Sequence, residues 1–165
     1  MHKSKLAGFI IDCQTGDLAG AADFWSGALG MPVRELSAEE AALYKRLEDS
    51  QHGLNIEVQI VKHPSRVHLD IETDDIEAEV RRLEKLGAKR VQAVHTWWVM
   101  EAPTGQRFCV VRAASKSFAE QASQWPRAQL FPRLEGRAGR PPIVACVSQN
   151  DDRFDIAQQQ TSIPP

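Results

Sequence analysis

The sequence predicts an α+β domain built from two similar halves, each running strand, helix, strand, strand, strand. Three observations predict it. A heptapeptide nearly repeats: Asp12-Cys13-Gln14-Thr15-Gly16-Asp17-Leu18 returns as Asp70-Ile71-Glu72-Thr73-Asp74-Asp75-Ile76. Each copy leads from a short apolar strand into a helical pattern that closes on Leu-Gly, at Leu29-Gly30 and at Leu86-Gly87. The offset of about 58 residues occurs only once and is too long for a solenoid unit, so it marks two halves on a pseudo-twofold plan. The cleft between such halves is the place to expect a ligand.

In the first half, the β-branched and aromatic run from Leu6 to Asp12 predicts a strand. Leu18, Ala22, Trp25 and Leu29 then fall on one helical stripe, with Asp17 placed to cap its start and Gly30 to end it. Pro32 prevents continuation. Val33 to Leu36, Ala42 to Leu47 and Leu54 to Val61 read as extended, the last through period-two alternation. Ser37 could instead cap a short helix.

In the second half, Val67 to Ile71 predicts a strand, and Asp74 or Asp75 caps a helix whose Ile76, Val80, Leu83 and Leu86 form the buried stripe. Glu77, Glu79, Arg81, Arg82, Glu84 and Lys85 fall on the opposite face and read as solvated surface. Lys89 to Val94, Thr96 to Glu101 and Gln106 to Arg112 complete the half, the last two joined by a turn at Ala102-Pro103-Thr104-Gly105. Phe118, Ala122 and Trp125 could lay a short amphipathic segment back on the body. The domain is therefore expected over residues 1–125, with modules at about 6–61 and 66–113. Residues 126–165, rich in Pro, Gln and Arg, read as a disordered or loosely attached tail.

Composition narrows the function classes. A chain of 165 residues with 42% hydrophobic and 25% charged content suits one soluble globular domain. A net charge of -2 gives no general attraction to nucleic acid or to an anionic membrane, so neither is an expected partner. No apolar run reaches the roughly 18 residues of a membrane span, and the apolar stretch after Lys5 is too short for a secretion signal. A cytoplasmic location is the expectation. Cys13, Cys109 and Cys146 are odd in number and lack CxxC spacing, which argues against a disulfide framework or a zinc knuckle. No phosphate loop, nucleophile elbow or HExxH helix occurs.

These residues resemble the glyoxalase, bleomycin-resistance and extradiol-dioxygenase superfamily, also called the vicinal oxygen chelate superfamily. The matching stretches are Asp17-Leu18 through Asp23-Phe24-Trp25 and Ala28-Leu29-Gly30, then Val67 to Asp75, Leu83 to Ala88, and Ala102 to Phe108. The resemblance covers about Leu6 to Ala113. It implies two βαβββ modules forming a curved mixed sheet that cups a small-molecule pocket, with helices outside, and a homodimer.

In metal-using members of that superfamily, ligands come from the first and last strands of each module. Carried over by position, His68 occupies the first-strand place of the second module and Ile10 its counterpart in the first. Cys109 occupies the last-strand place of the second module, and Glu57 or Gln59 that of the first. Isoleucine binds no metal. No cofactor is therefore expected. If a divalent metal is bound, the set is His68, Glu57 and Cys109, which favours zinc.

His68 is the candidate catalytic residue, since an imidazole in a cup serves as general base or acid near neutral pH. The alternative is a histidine hydrogen-bonded for structure. Candidate pocket residues are Glu57, Gln59, Asp70, Trp97, Trp98 and Cys109. Asp70 shares the His68 face by parity, and Trp97 and Trp98 must point to opposite faces, one toward the cup and one under a helix or at a dimer contact. His63 and His95 read as surface; His2 and His52 read as uninformative. Three functions stay open: a lyase or isomerase acting on a small organic molecule, a binder that sequesters a drug or metabolite, and a degenerate dimerisation module.

Overall fold

A computed structural model describes residues 1–49 and 51–126. The first module holds β1 (His2–Cys13), α1 (Leu18–Leu29), β2 (Val33–Arg34), α2 (Ala38–Ala41), β3 (Tyr44–Leu47) and β4 (Asn55–Ile60). The second holds β5 (Arg66–Thr73), α3 (Ile76–Lys85), β6 (Lys89–Val94), β7 (Trp97–Glu101) and β8 (Arg107–Arg112), followed by α4 (Phe118–Gln121) and β9 (Ser123–Trp125). The predicted tail over 126–165 lies, apart from Pro126, outside the described residues.

The strands form one curved sheet in the order β2-β3-β4-β1-β5-β8-β7-β6, with β9 added beside the start of β1. The two halves mirror each other about the β1–β5 seam. Strand β4 lies parallel to β1 as β8 lies parallel to β5, and the remaining pairings are antiparallel in both halves. At the seam Ile10 stands opposite His68, the same two positions that the sequence repeat aligns.

Local chemistry explains the elements. Asp17 accepts a hydrogen bond from Gly20 N and Asp75 one from Ala78 N, so each helix starts on an aspartate cap. Gly30 closes α1 in the left-handed region, at φ 67°. The short helix after Ser37 forms as well, through a capping box with Glu40, and it shortens the expected β2 and β3. Gly8 serves close approach instead of a turn. A Cβ there would collide with the backbone carbonyl of Asn55, so the parallel pairing of β4 with β1 requires a residue without a side chain.

Both helices cover the convex face. Under α1, Ile11, Leu47, Ile56 and Val58 pack together with Trp25 and Cys13 at their margin. Val80 and Leu83 of α3 pack on Met100, Phe108 and Val110 of the sheet, and full burial of each such side chain contributes about 1.5 to 3 kcal/mol. Leu29 and Leu86 fall short of the buried stripes because each sits at the fraying end of its helix and is exposed.

The second helix departs from its expected pattern at Glu79, which is fully buried. Its carboxylate accepts from both Arg82 Nε (2.7 Å) and Nη2 (2.6 Å), from His2 Nε2 (2.7 Å) and from Ser4 Oγ (2.9 Å). Trp125 Nε1 donates to the same Ser4 Oγ at 2.7 Å, and the Arg82 guanidinium lies 4.0 Å over the Trp125 ring. This network fastens β9 and the start of β1 to α3. His2 is therefore a structural residue, and Glu79 and Arg82 are not solvated surface. Among the described residues, no helix is long and apolar enough to cross a membrane.

Candidate functional site

The opposite, concave face gathers the polar residues. Period-two alternation turns Ile10 and Asp12 of β1, Tyr44 and Arg46 of β3, Glu57 and Gln59 of β4, His68, Asp70 and Glu72 of β5, Trp97 of β7, and Cys109 and Val111 of β8 to this side. Strand register sets their neighbours: Ile10 lies between Glu57 and His68, Asp12 between Gln59 and Arg66, and Asp70 beside Cys109. A cup of about 230 Å³ opens here, lined by Ile10, Tyr44, Glu57, Gln59, His68, Asp70, Trp97, Cys109 and Val111.

His68 is buried at the floor of this cup. Its Nδ1 donates to Asp12 Oδ2 at 2.9 Å. A carboxylate only accepts, so in the neutral ring Nε2 keeps its lone pair; that atom stands 3.6 Å from Asp70 Oδ1. Asp12 also accepts from Gln59 Nε2 at 2.6 Å and from Arg66 Nε at 3.3 Å. Burial pushes the Asp12 carboxyl up, but the hydrogen bond and charge of His68, with Gln59 and His63, outweigh burial and hold it below its ordinary value. Asp12 is thus a fixed anion that orients the imidazole.

Asp70 sits differently. Its Oδ1 is buried and has no hydrogen-bond partner among the described residues. Burial, with the charges of Glu57 and Asp12 acting against the pull of His68, pushes its carboxyl up to about 6. Burial and the Asp70 charge push the Cys109 thiol well above its ordinary value.

Of the sequence candidates, Glu57, Gln59, Asp70, Trp97 and Cys109 all line the cup with His68. Trp98 does not. It turns to the convex face, where its Nε1 donates to Glu77 at 3.0 Å and Arg90 lies 4.8 Å over its ring. Asp12, which in the sequence only marks the repeat, is the group that orients His68; its parity with Ile10 is the signal that could have found it. His63 is not surface: its Nε2 accepts from Arg66 Nη2 at 3.0 Å and lies 3.7 Å from Asp12. Glu72 continues the same face and accepts from Ala114 N, Ser115 N and Ser115 Oγ, which pins the chain after β8. A wider groove of about 640 Å³ adjoins, lined by Arg46 and residues 114–117 among others.

The four-ligand metal pattern of the resembled superfamily does not assemble. Ile10 supplies no donor, and Glu57 is held by Arg46, whose Nη2 and Nε donate to its Oε1 at 2.6 and 3.1 Å. Asp70 takes the place expected of Glu57: donor atoms of His68, Asp70 and Cys109 lie within 4.8 Å of one another. This nitrogen, oxygen and sulfur set is chemically suited to a zinc-like ion.

Methylmalonyl-CoA epimerase from Mycobacterium tuberculosis is similar at a TM-score of 0.49 and 16% identity, over 69% of this chain and 91% of that one. A hypothetical protein from Bacillus halodurans C-125 gives 0.45 and 14%, over 68% and 98%. A mutant glyoxalase I from Zea mays gives 0.28 and 13%, over 69% and 47%. No curated protein matches the chain significantly. The model of the glyoxalase-like domain family matches residues 8–111, from the middle of β1 to the end of β8, and the chain belongs to that family.

Proposed function

We propose that the cup binds a small organic molecule carrying a carbonyl or similar oxygen, and that His68 moves a proton on it in a lyase- or isomerase-type reaction. The observation that carries this reading is the Asp12–His68 hydrogen bond at the cup floor, which fixes the ring with Nε2 turned toward Asp70 and the cup. Asp12 stabilises the imidazolium that forms when Nε2 takes a proton, as an orienting carboxylate does in other acid–base sites. Trp97, Ile10 and Val111 supply an apolar wall, while Gln59, Asp70 and Tyr44 supply polar contacts. The volume of about 230 Å³ lies below the roughly 300 Å³ at which pockets for drug-sized ligands begin, so the ligand portion it takes is small.

Sequestration without turnover is the second reading, and the incomplete two-module ligand set favours it. Thermal-shift screening with small carbonyl compounds tests binding, because a ligand selective for the folded chain raises its melting point. The expected hit loses its effect in His68→Ala and Trp97→Ala. A shift that survives both substitutions would move the ligand out of the cup. Turnover of a hit then separates catalysis from sequestration. A domain ending near Trp125, a homodimer and a cytoplasmic location belong to the same reading.

A further inference from the structure

We propose that His68 Nε2, Asp70 Oδ1 and Cys109 Sγ form a zinc site built within the second module alone, with its remaining coordination position open to the cup. The inference does not rest on the proton-transfer reading: a bound ion takes the Nε2 lone pair, so His68 ligates in the loaded protein and moves a proton only in the ion-free one.

Geometry comes first. Zinc at ordinary bond lengths holds nitrogen, oxygen and sulfur ligands about 3.3 to 3.6 Å apart in a tetrahedron. The Nε2 to Oδ1 separation is already 3.6 Å, and the whole set falls within 4.8 Å, so side-chain adjustment alone closes it. The three residues come from adjacent, register-matched strands, with Asp70 directly beside Cys109.

The surroundings are those of a ligating histidine. A metal-binding imidazole generally donates its other ring N–H to a carboxylate, which fixes the tautomer and raises the basicity of the ligating nitrogen. Asp12 does this for His68 at 2.9 Å, and Asp12 is itself held by Gln59 and Arg66. On the other side, the buried Asp70 Oδ1 finds no donor among the described residues, and an anionic carboxylate faces a thiol at low dielectric. A divalent ion resolves both: its charge cancels one carboxylate and one thiolate, leaving a neutral centre that costs little to bury. The thiolate selects zinc or another thiophilic ion over magnesium or calcium. When bound, the ion would supply Lewis-acid binding of a ligand oxygen in the cup.

Cobalt reports the site directly. The full-length chain, stripped with a chelator, is titrated with Co²⁺ and then with Zn²⁺. The expected result is one cobalt per chain with tetrahedral visible bands and a near-ultraviolet thiolate charge-transfer band, all displaced by zinc. Cys109→Ser removes the charge-transfer band, whereas Cys13→Ser and Cys146→Ser keep it. Asp70→Asn weakens binding about tenfold or more, and Asp12→Asn about 10- to 100-fold. Absence of the bands in the unmodified chain overturns the site, as does a charge-transfer band that persists in Cys109→Ser. Should Cys109→Ser not fold, X-ray absorption of the zinc-loaded native chain decides the matter: one sulfur neighbour supports the site, and none overturns it.

Discussion

Two buried carboxylates, Asp12 and Glu79, have nearly the same partners and different uses. Each accepts from a histidine, an arginine and a neutral side chain: His68, Arg66 and Gln59 for Asp12, and His2, Arg82 and Ser4 for Glu79. Both stay ionised below their ordinary range. Burial opposes this in both, and the hydrogen bonds, led by His68 for Asp12 and by Arg82 for Glu79, outweigh it. What differs is the far side of each cluster. Beyond His68 lies a cup, whereas Ser4 and Arg82 lead on to the indole of Trp125. A saturated, sealed cluster holds chain segments together; the same chemistry bordering a cavity becomes a site.

The comparison can be broken by substitution. Glu79→Ala leaves the buried His2 and the half-buried Arg82 unmatched and is expected to cost about 3 kcal/mol of stability by chemical denaturation. Cobalt affinity of the remaining folded protein should not change; if it falls, the two clusters are coupled. Asp12→Asn is expected to cost less, about 1 to 3 kcal/mol, since only charge-assisted bonds are weakened. Its larger effect should appear in the cup, as lost cobalt affinity.

Trp125→Ala removes one hydrogen bond and one cation–π contact, together about 2 kcal/mol. Hydrogen exchange should then accelerate at His2 to Ser4, where β9 pairs with β1, and not at His68. The smallest effect is that of pH. Glu79 is depressed below 4.5, the value it has when unfolded, so its contribution is complete above that pH and is lost as pH falls through the folded value. The Glu79 contribution to the denaturation midpoint should therefore be level above about pH 5 and decline below it. In Glu79→Gln the decline should be shallower; an unchanged slope would mean that other carboxylates govern acid unfolding.

What repeats locally is legible in the sequence. Alternation in Asn55 to Ile60, the aspartate caps and the Leu-Gly endings locate the elements because each signal is confined to a few neighbours. Parity places Asp70 on the face of His68, whereas His68 and Cys109 reach the cup through the family resemblance. Glu79 escapes this kind of reading because a helical wheel shows only its own helix, and the partners that bury it, His2 and Ser4, come from the opposite end of the domain. Trp98 stays undivided from Trp97 because parity separates two faces without naming which is concave. Arg46, the residue that removes Glu57 from the ligand set, depends on the β3–β4 register, which no single strand discloses.

Strand β1 carries a consequence for how the chain comes together. It precedes the other described strands in the chain, yet it lies at the middle of the sheet between β4 and β5, and its first residues pair with β9 near the end of the described chain. No neighbour in sequence can stabilise it early, so loop-closure entropy must be met before its contacts form. On the ribosome β1 therefore waits until β4 has emerged, and its other edge stays open until β5 follows, which makes slow refolding the expected behaviour of this domain.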